Sequence, residues 1–273
     1  MDQVPIFDVK GAVYSYNETG PPALDGVDLT VMPGEWVAVL GANGSGKSTL
    51  AKVCNALLVP AQGACFSLGL DTSDPGNAGA VRQGVALVFQ NPDDQIVASV
   101  VEEDVAFGPE NLGLPSGEIE RRVDRALELV SLTDLRKRGS YSLSGGQKQR
   151  LALAGALALE PKALVLDEST SMLDPDGRRS FLGCLGELNR LGMTILQITH
   201  AVEDIMFSGR IVVLGAGRVL WDGRQHGFWD GKYREFGFSE PPELALYREL
   251  ASRGLIDPLT APRVDDMLEA LCL

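Results

Sequence analysis

One stretch constrains this chain more than any other: Gly41-Ala-Asn43-Gly44-Ser45-Gly46-Lys47-Ser48-Thr49, placed directly after the apolar run from Trp36 to Leu40. A buried strand that breaks into glycines and then a lysine-serine pair fits the pattern of a phosphate-cradling loop. Gly41, Gly44 and Gly46 let backbone N–H groups approach phosphate oxygens that a side chain would block. Lys47 is placed to bring positive charge to the β- and γ-phosphates and Ser48 to hold Mg²⁺. A helix starting near Lys47 adds the positive end of its dipole. The alternative is a plain glycine-rich turn, but the strand ahead of the loop favours nucleoside triphosphate binding.

The rest of the composition limits what can surround such a loop. A chain of 273 residues, 45% hydrophobic, supports one large or two small domains with a real core. Against 24 basic residues stand 37 acidic ones, a net charge of −13, which repels nucleic acid and bare anionic lipid. Work at a membrane would therefore need a protein to dock on. No apolar run is long and unbroken enough to span a bilayer, and the start Met1-Asp-Gln-Val-Pro5 lacks a signal peptide's basic and apolar regions, so the expected compartment is the cytosol. Cys54, Cys65, Cys184 and Cys272 show no Cys-x-x-Cys spacing and read as small buried apolar residues.

In chain order, Ile6 to Val9 and Val27 to Val31 alternate like short antiparallel strands, separated by the turn-rich Asn17 to Pro22. Tyr14 or Tyr16 could stack on a nucleotide base, or simply pack. Thr49 to Leu58 predicts a helix ended near Pro60. Val85 to Phe89 predicts a strand, with Gln90 at its end able to reach a metal or its water, or to stand as a loop amide. Ile119, Val123, Leu127 and Val130 recur at helical spacing from Ser116 onward.

Ser144, Gly145, Gly146 and Gln147 open a segment rich in helix formers; they form either an anion-binding helix start or an ordinary serine cap. Ala163 to Leu166 predicts a parallel strand ending in Asp167 and Glu168, placed for a metal's water shell and for activating a water, unless the pair only caps the strand. Ser171 to Pro175 predicts a turn into a helix. Thr194 to Ile198 predicts a further strand, and His200 at its end is either structural or catalytic. Ile211 to Leu214 and Arg218 to Trp221 predict a hairpin. Pro242 to Arg253, stopped by Gly254, and Val264 to Leu271 predict tail helices that pack on the core or on a second subunit.

Taken in order, these motifs resemble the ATP-binding cassette family of transporter ATPases over at least residues 6 to 222, with Leu143-Ser144-Gly145-Gly146-Gln147 the discriminating match. The resemblance implies an α/β fold of the P-loop NTPase type: a RecA-like parallel-sheet core, an N-terminal antiparallel β subdomain, an inserted α-helical subdomain and a small C-terminal helical extension. Its implied division is an ATPase domain over 1–222, with core 1–90 and 160–222 and helical subdomain about 91–159, then a dimerising extension over 223–273.

The resemblance also implies ATP and Mg²⁺ as cofactors. Tyr16 becomes the base-stacking aromatic, and Gly41, Asn43, Gly44, Ser45, Gly46, Lys47, Ser48, Thr49 and Gln90 contact ATP. Ser48, Gln90 and Asp167 serve Mg²⁺. Glu168 is the general base, with His200 and Lys47 also catalytic. Ser144, Gly145, Gly146, Gln147 and Asp174 face the ATP of a partner subunit, in a dimer that sandwiches two ATP molecules.

A narrower similarity, in Val88 to Val97, Val101 to Asn111 and Leu166 to Pro175, is to the ATPase subunits of energy-coupling factor transporters, which import vitamins or cobalt and nickel ions. It implies a peripheral protein on the cytoplasmic face of the cell membrane, with a second ATPase, a transmembrane coupling subunit and a substrate-binding membrane subunit as partners, and no nucleic acid. Asp93, Asp94, Glu102 and Glu103 offer the negative charge that arginine-bearing coupling helices would meet, or else form a solvated face. Ser169 and Ala201 depart from the family pattern without removing a catalytic group. The competing functions are a conventional binding-protein-dependent importer ATPase and a soluble cassette acting on DNA or ribosomes.

Overall fold

The computed structural model describes residues 4–17, 19–257 and 264–271; Cys272 lies outside them. Two sheets organise the chain. In the first, β1 (Phe7–Tyr14) pairs antiparallel with β2 (Leu24–Val31). Both strands are longer than their alternating patterns suggest, because register shifts between Val9 and Ala12 break the period of β1 and hide its continuation. Five consecutive buried residues form β3 (Trp36–Leu40), which leaves for the second sheet. β4 (Gln62–Ser67) and β5 (Leu70–Asp71), neither anticipated from the sequence, complete the first sheet in the order β2-β1-β4-β5.

The second sheet adds β6 (Val85–Val88), β7 (Ala163–Asp167), β8 (Thr194–Thr199), β9 (Arg210–Gly215) and β10 (Arg218–Arg224) in the order β10-β9-β3-β8-β7-β6. All neighbours are parallel except the closing β9-β10 hairpin. Strands β3, β7 and β8 are wholly buried, as expected for a sheet covered on both faces. Because β3, β8, β7 and β6 run the same way, their exits, which lead to Gly41, His200, Glu168 and Gln90, emerge along one sheet edge.

Helix α1 (Lys47–Cys54) follows the loop after β3 and is shorter than the predicted Thr49-to-Leu58 helix. It ends because Asn55 turns inward to donate to the Val85 carbonyl at 2.5 Å and Ala56 adopts a left-handed φ of 55°. The apolar spacing of Ala56 to Leu58 therefore continues in a turn. α2 (Ala78–Gly84) precedes β6.

The segment carrying Glu102 and Glu103, for which no separate helix is predicted, forms α3 (Val101–Asn111), with Val101, Val105, Ala106 and Pro109 buried. Pro109 in its last turns obscured that spacing. α4 (Ser116–Leu129) matches its prediction, and α5 (Gly145–Leu157) starts directly after Ser144. These three helices share one apolar core with the flank of β6 and β7 and with α6 (Pro175–Arg190). A second core lies between the two sheets and around α1.

Past the hairpin the chain forms short turns, α7 (Gln225–Gly227) and α8 (Tyr233–Glu235), then α9 (Pro242–Ser252) and α10 (Val264–Ala270). Phe228, Trp229, Tyr233 and Leu244 pack in a third core with Ala38, Leu40, Ile205 and Met206, so the tail as far as α9 rests on its own chain, against β3 and the turn after His200.

Candidate active site

The loop from β3 to α1 is shaped by where side chains cannot go. At Gly46, φ is 104° and a Cβ would stand 2.2 Å from the Ala23 carbonyl oxygen; at Gly41 it would meet the Leu214 carbonyl oxygen at the same 2.2 Å. At Gly44 the corresponding space is open. Lys47, 4% exposed, donates from Nζ to the carbonyls of Gly41 at 2.8 Å and Ala42 at 3.0 Å, so the ammonium curls over the loop. Burial pushes its pKa down, while Glu168 and Asp167 nearby act the other way. Ser45 Oγ is buried without a protein partner, a spare donor inside the cradle.

Helix α1 aims Ser48 at the β7 exit, where its Oγ donates to Asp167 Oδ1 at 2.8 Å. Burial raises the Asp167 pKa and the Ser48 hydroxyl opposes that rise. A hydroxyl and a carboxylate side by side are hard oxygen donors, the kind Mg²⁺ takes, and the open glycine loop above them fits a phosphate chain. Glu168 sits next, at a left-handed φ of 51°, uncommon for a residue with a side chain. Its N–H donates to the Ile198 carbonyl at 2.9 Å, which locks it to β8. Its Oε2 lies 3.2 Å from His200 Nδ1 and its Oε1 3.8 Å from Lys47 Nζ. The exits of three neighbouring strands thus bring Lys47, Ser48, Asp167, Glu168 and His200 to one point, and the sequence had marked all five.

Other marked residues fall around this cluster. Tyr16, 57% exposed, stands edge-on to Tyr14 at 5.0 Å, and its hydroxyl is 3.3 Å from Thr49 Oγ1, beside the start of α1. Tyr14 packs against the core between the sheets, so of the two tyrosines Tyr16 has the free face. Gln90 Nε2 donates to Ser171 Oγ at 3.3 Å, tying the β6 exit to the loop after Glu168. Ser144 caps α5 in a capping box with Gln147, and Asp174 caps α6 by accepting from the Gly177 N–H at 2.7 Å. Gly145 and Gly146 neighbour Met172 and Leu173 of that same loop. Among the described residues, no hydrogen bond or ion pair joins the stretch Ser144 to Gln147 with the glycine loop of the same chain.

The four acids are less free than their sequence suggests. Asp93 pairs with Lys148 at 2.6 Å, and Glu102 pairs with Arg136 at 2.6 Å and also with Lys137, so only Asp94 and Glu103 stand exposed without such cations. Beside them the sequence reading missed a groove of 860 Å³ whose lining includes Leu57, Val97, Phe107 and Leu112. Phe107 is 48% and Val97 61% exposed. The available signal was an aromatic on the polar side of a helix, legible only once 101–111 is known to be helical.

Comparison with known proteins agrees with this geometry. The ABC transporter family profile matches residues 24–171. The energy-coupling factor transporter ATP-binding protein EcfA1 of Symbiobacterium thermophilum is 51% identical over 92% of this chain and 88% of its own. The solved structure of cbiO1 from Clostridium perfringens, part of the ABC transporter complex cbiONQ, superposes with a TM-score of 0.80 at 34% identity, over 91% of this chain and 95% of that one. A dimeric ATP-binding cassette in a post-hydrolysis state with ADP and Pi gives 0.72 at 28% identity, over 80% and 98% of the two chains. With a phosphate loop, a carboxylate pair and a histidine gathered at one sheet edge, and with relatives this similar over nearly its whole length, the chain belongs to the ABC transporter family, among its ATP-hydrolysing, energy-coupling subunits.

Proposed function

We propose that this chain powers a membrane importer of the energy-coupling factor type, taking up a vitamin or a transition-metal ion, by hydrolysing ATP at a site shared between two ATPase subunits. The observation that carries the reading is Glu168, held 3.2 Å from His200 and 3.8 Å from Lys47, next to the Ser48 and Asp167 oxygens. The N–H groups of Gly41, Asn43, Gly44, Gly46, Ser48 and Thr49 would meet the phosphates, and Ser45, whose N–H is spent on the Ala42 carbonyl at 3.1 Å, would offer its unpartnered Oγ. Lys47 leaves its carbonyl partners to balance charge on the β- and γ-oxygens. Tyr16, with its exposed face beside the start of α1, would stack on the base.

Ser48 and Asp167, with Gln90, would hold Mg²⁺, which supplies charge neutralisation at the phosphate oxygens when bound. Glu168 takes the proton of the attacking water, and His200 keeps that carboxylate turned toward it. Ser144, Gly145, Gly146, Gln147 and Asp174 act on the nucleotide of the partner subunit: the capping box uses the N–H groups of Ser144 and Gln147 and not those of Gly145 and Gly146, and among the described residues no hydrogen bond or ion pair ties this helix start to its own chain's glycine loop.

The expected result for Glu168→Gln is ATP binding within about twofold of wild type with turnover reduced by about a thousandfold or more, since the base is lost and the cradle kept. Steady-state hydrolysis alongside nucleotide titration reads both numbers; turnover close to wild type would mean another group is the base.

For the assembly, the support is the cbiONQ complex named for the cbiO1 relative, and the groove beside α3. No helix among the described residues is long and apolar enough to cross a membrane, which fits a peripheral subunit on the cytoplasmic face. The transmembrane coupling subunit docks at the groove through Val97 and Phe107, with Asp94 and Glu103 left as the exposed, unpaired acids of the four and Asp93 and Glu102 held in their internal pairs. The division into an ATPase domain over 1–222 and a dimerising extension over 223–273 belongs to the same proposal. Copurification decides the assembly: a small substrate-binding membrane subunit supports it, and a soluble solute receptor would replace it with a conventional importer.

A further inference from the structure

Asp204 is fully buried, yet no step above uses it. It opens the single turn Asp204–Phe207 just beyond His200. Its Oδ2 accepts the hydroxyls of Thr170 and, at 2.7 Å, of Thr199. Its Oδ1 stands 2.9 Å from Arg178 Nε, an ion pair inside the protein.

Each of the three partners belongs to a different piece of the site. Thr170 lies in the loop leaving Glu168, where the Ser171 N–H donates back to the Glu168 carbonyl at 3.0 Å. Thr199 ends β8 immediately before His200, and its Oγ1 also accepts the Ala201 N–H at 3.0 Å, so the hydroxyl brackets the histidine. Arg178 is in the first turn of α6, where its N–H donates to the Asp174 carbonyl at 2.8 Å. From below, Ile205 and Met206 pack against Phe228 and Trp229, and Gln225 Nε2 donates to the Ile205 carbonyl at 2.8 Å. The turn carrying Asp204 is therefore clamped on both sides.

A carboxylate is a costly core residue: burial raises its pKa, against the two hydroxyls and the Arg178 charge that favour the ionised form. An apolar side chain of similar size would stabilise such a position as well or better. What the carboxylate adds is direction. Two donors from neighbouring strand exits converge on one oxygen, which sets the spacing of the loops that carry Glu168 and His200. Those two side chains face each other across 3.2 Å, so a small shift of either loop would turn the glutamate away from the water.

We infer that Asp204 is a positioning residue for ATP hydrolysis, registering Glu168 against His200 through Thr170 and Thr199 and joining both to the Asp174 loop through Arg178. This rests on the reading of Glu168 as the base.

The test uses the full-length protein. Asp204→Asn keeps the shape and one acceptor oxygen but removes the charge facing Arg178. The expected outcome is a kcat lowered at least about tenfold, with KM and the dissociation constant for a fluorescent ATP analogue within about twofold. A merely structural role would lower the melting temperature and leave kcat per folded molecule near wild type, and that result overturns the inference. Thr170→Val and Thr199→Val each remove one donor; each is expected to lower kcat, and their effects should not add to that of Asp204→Asn. If Asp204→Asn does not fold, the valine variants decide, and kcat within about twofold of wild type in both refutes the role. Glu168→Gln runs in parallel: an inactive Glu168→Gln beside a fully active Asp204→Asn removes this inference alone. A fully active Glu168→Gln removes the base reading and this inference with it.

Discussion

Single residues decide whether a phosphate can enter the loop. Gly46 combines a φ of 104° with a Cβ position 2.2 Å from the Ala23 carbonyl oxygen, so Gly46→Ala forces both backbone strain and a displacement of the β2 start. The expected cost is roughly 1–3 kcal/mol of stability, with ATP affinity reduced as well; thermal denaturation and nucleotide titration measure the two. At this scale the sequence was highly legible, because Lys47, Asp167, Glu168 and His200 each follow an apolar run that ends abruptly, and strand ends are where ligands collect. Two things were not legible. Tyr14 and Tyr16 are alike in sequence and separate only by burial, and Asp204 is one of two adjacent acids, Glu203 and Asp204, before Ile205-Met206-Phe207, with no spacing that announces which of them is buried.

At the scale of elements, α3 is the instructive case. Val97 and Ala98 lie just before it, and their N–H groups donate to the buried Asp104 Oδ1 at 2.7 and 2.9 Å, so a side chain inside the helix folds back to close its own entrance. Burial raises the Asp104 pKa in spite of those two donors. Asp104→Ala leaves both N–H groups without that acceptor, at an expected cost of about 1–3 kcal/mol, and loosens Val97 at the groove. Denaturant titration reads the first effect. Hydrogen exchange at Val97 and Ala98 reads the second, which is expected to be confined to this entrance and α3. Patterns with a clean period, such as those of α4, β7 and β8, were read correctly. The pattern interrupted by Pro109 in α3 gave no separate prediction, the bulge in β1 cut that strand short and the turn at Ala56 let α1 run too long, since each breaks the repeat on which sequence reading depends.

For the whole molecule, two of the four acids that drew attention in sequence, Asp93 and Glu102, are neutralised within the chain, and the neighbouring groove is lined by apolar side chains. The docking proposal therefore predicts that Phe107→Glu lowers the yield of the assembled transporter by about tenfold or more, while ATP binding by the isolated chain stays near wild type. Replacing Asp93 with Lys is expected to matter less for assembly, its main loss being the Lys148 pair. Pull-down of the membrane subunits with each variant compares them, and equal yields would return the docking surface to the acids.

The order of the second sheet also governs how the protein comes into being. β3, which carries the phosphate loop, has β8 and β9 as its neighbours, and Trp36 Nε1 donates to Gln197 Oε1 at 2.9 Å, 161 residues away. During synthesis the loop leaves the ribosome long before either neighbouring strand exists. The nascent chain must carry an unpaired strand of five apolar residues until β8 and β9 follow, and the growing polypeptide gains its nucleotide pocket only once both have been made.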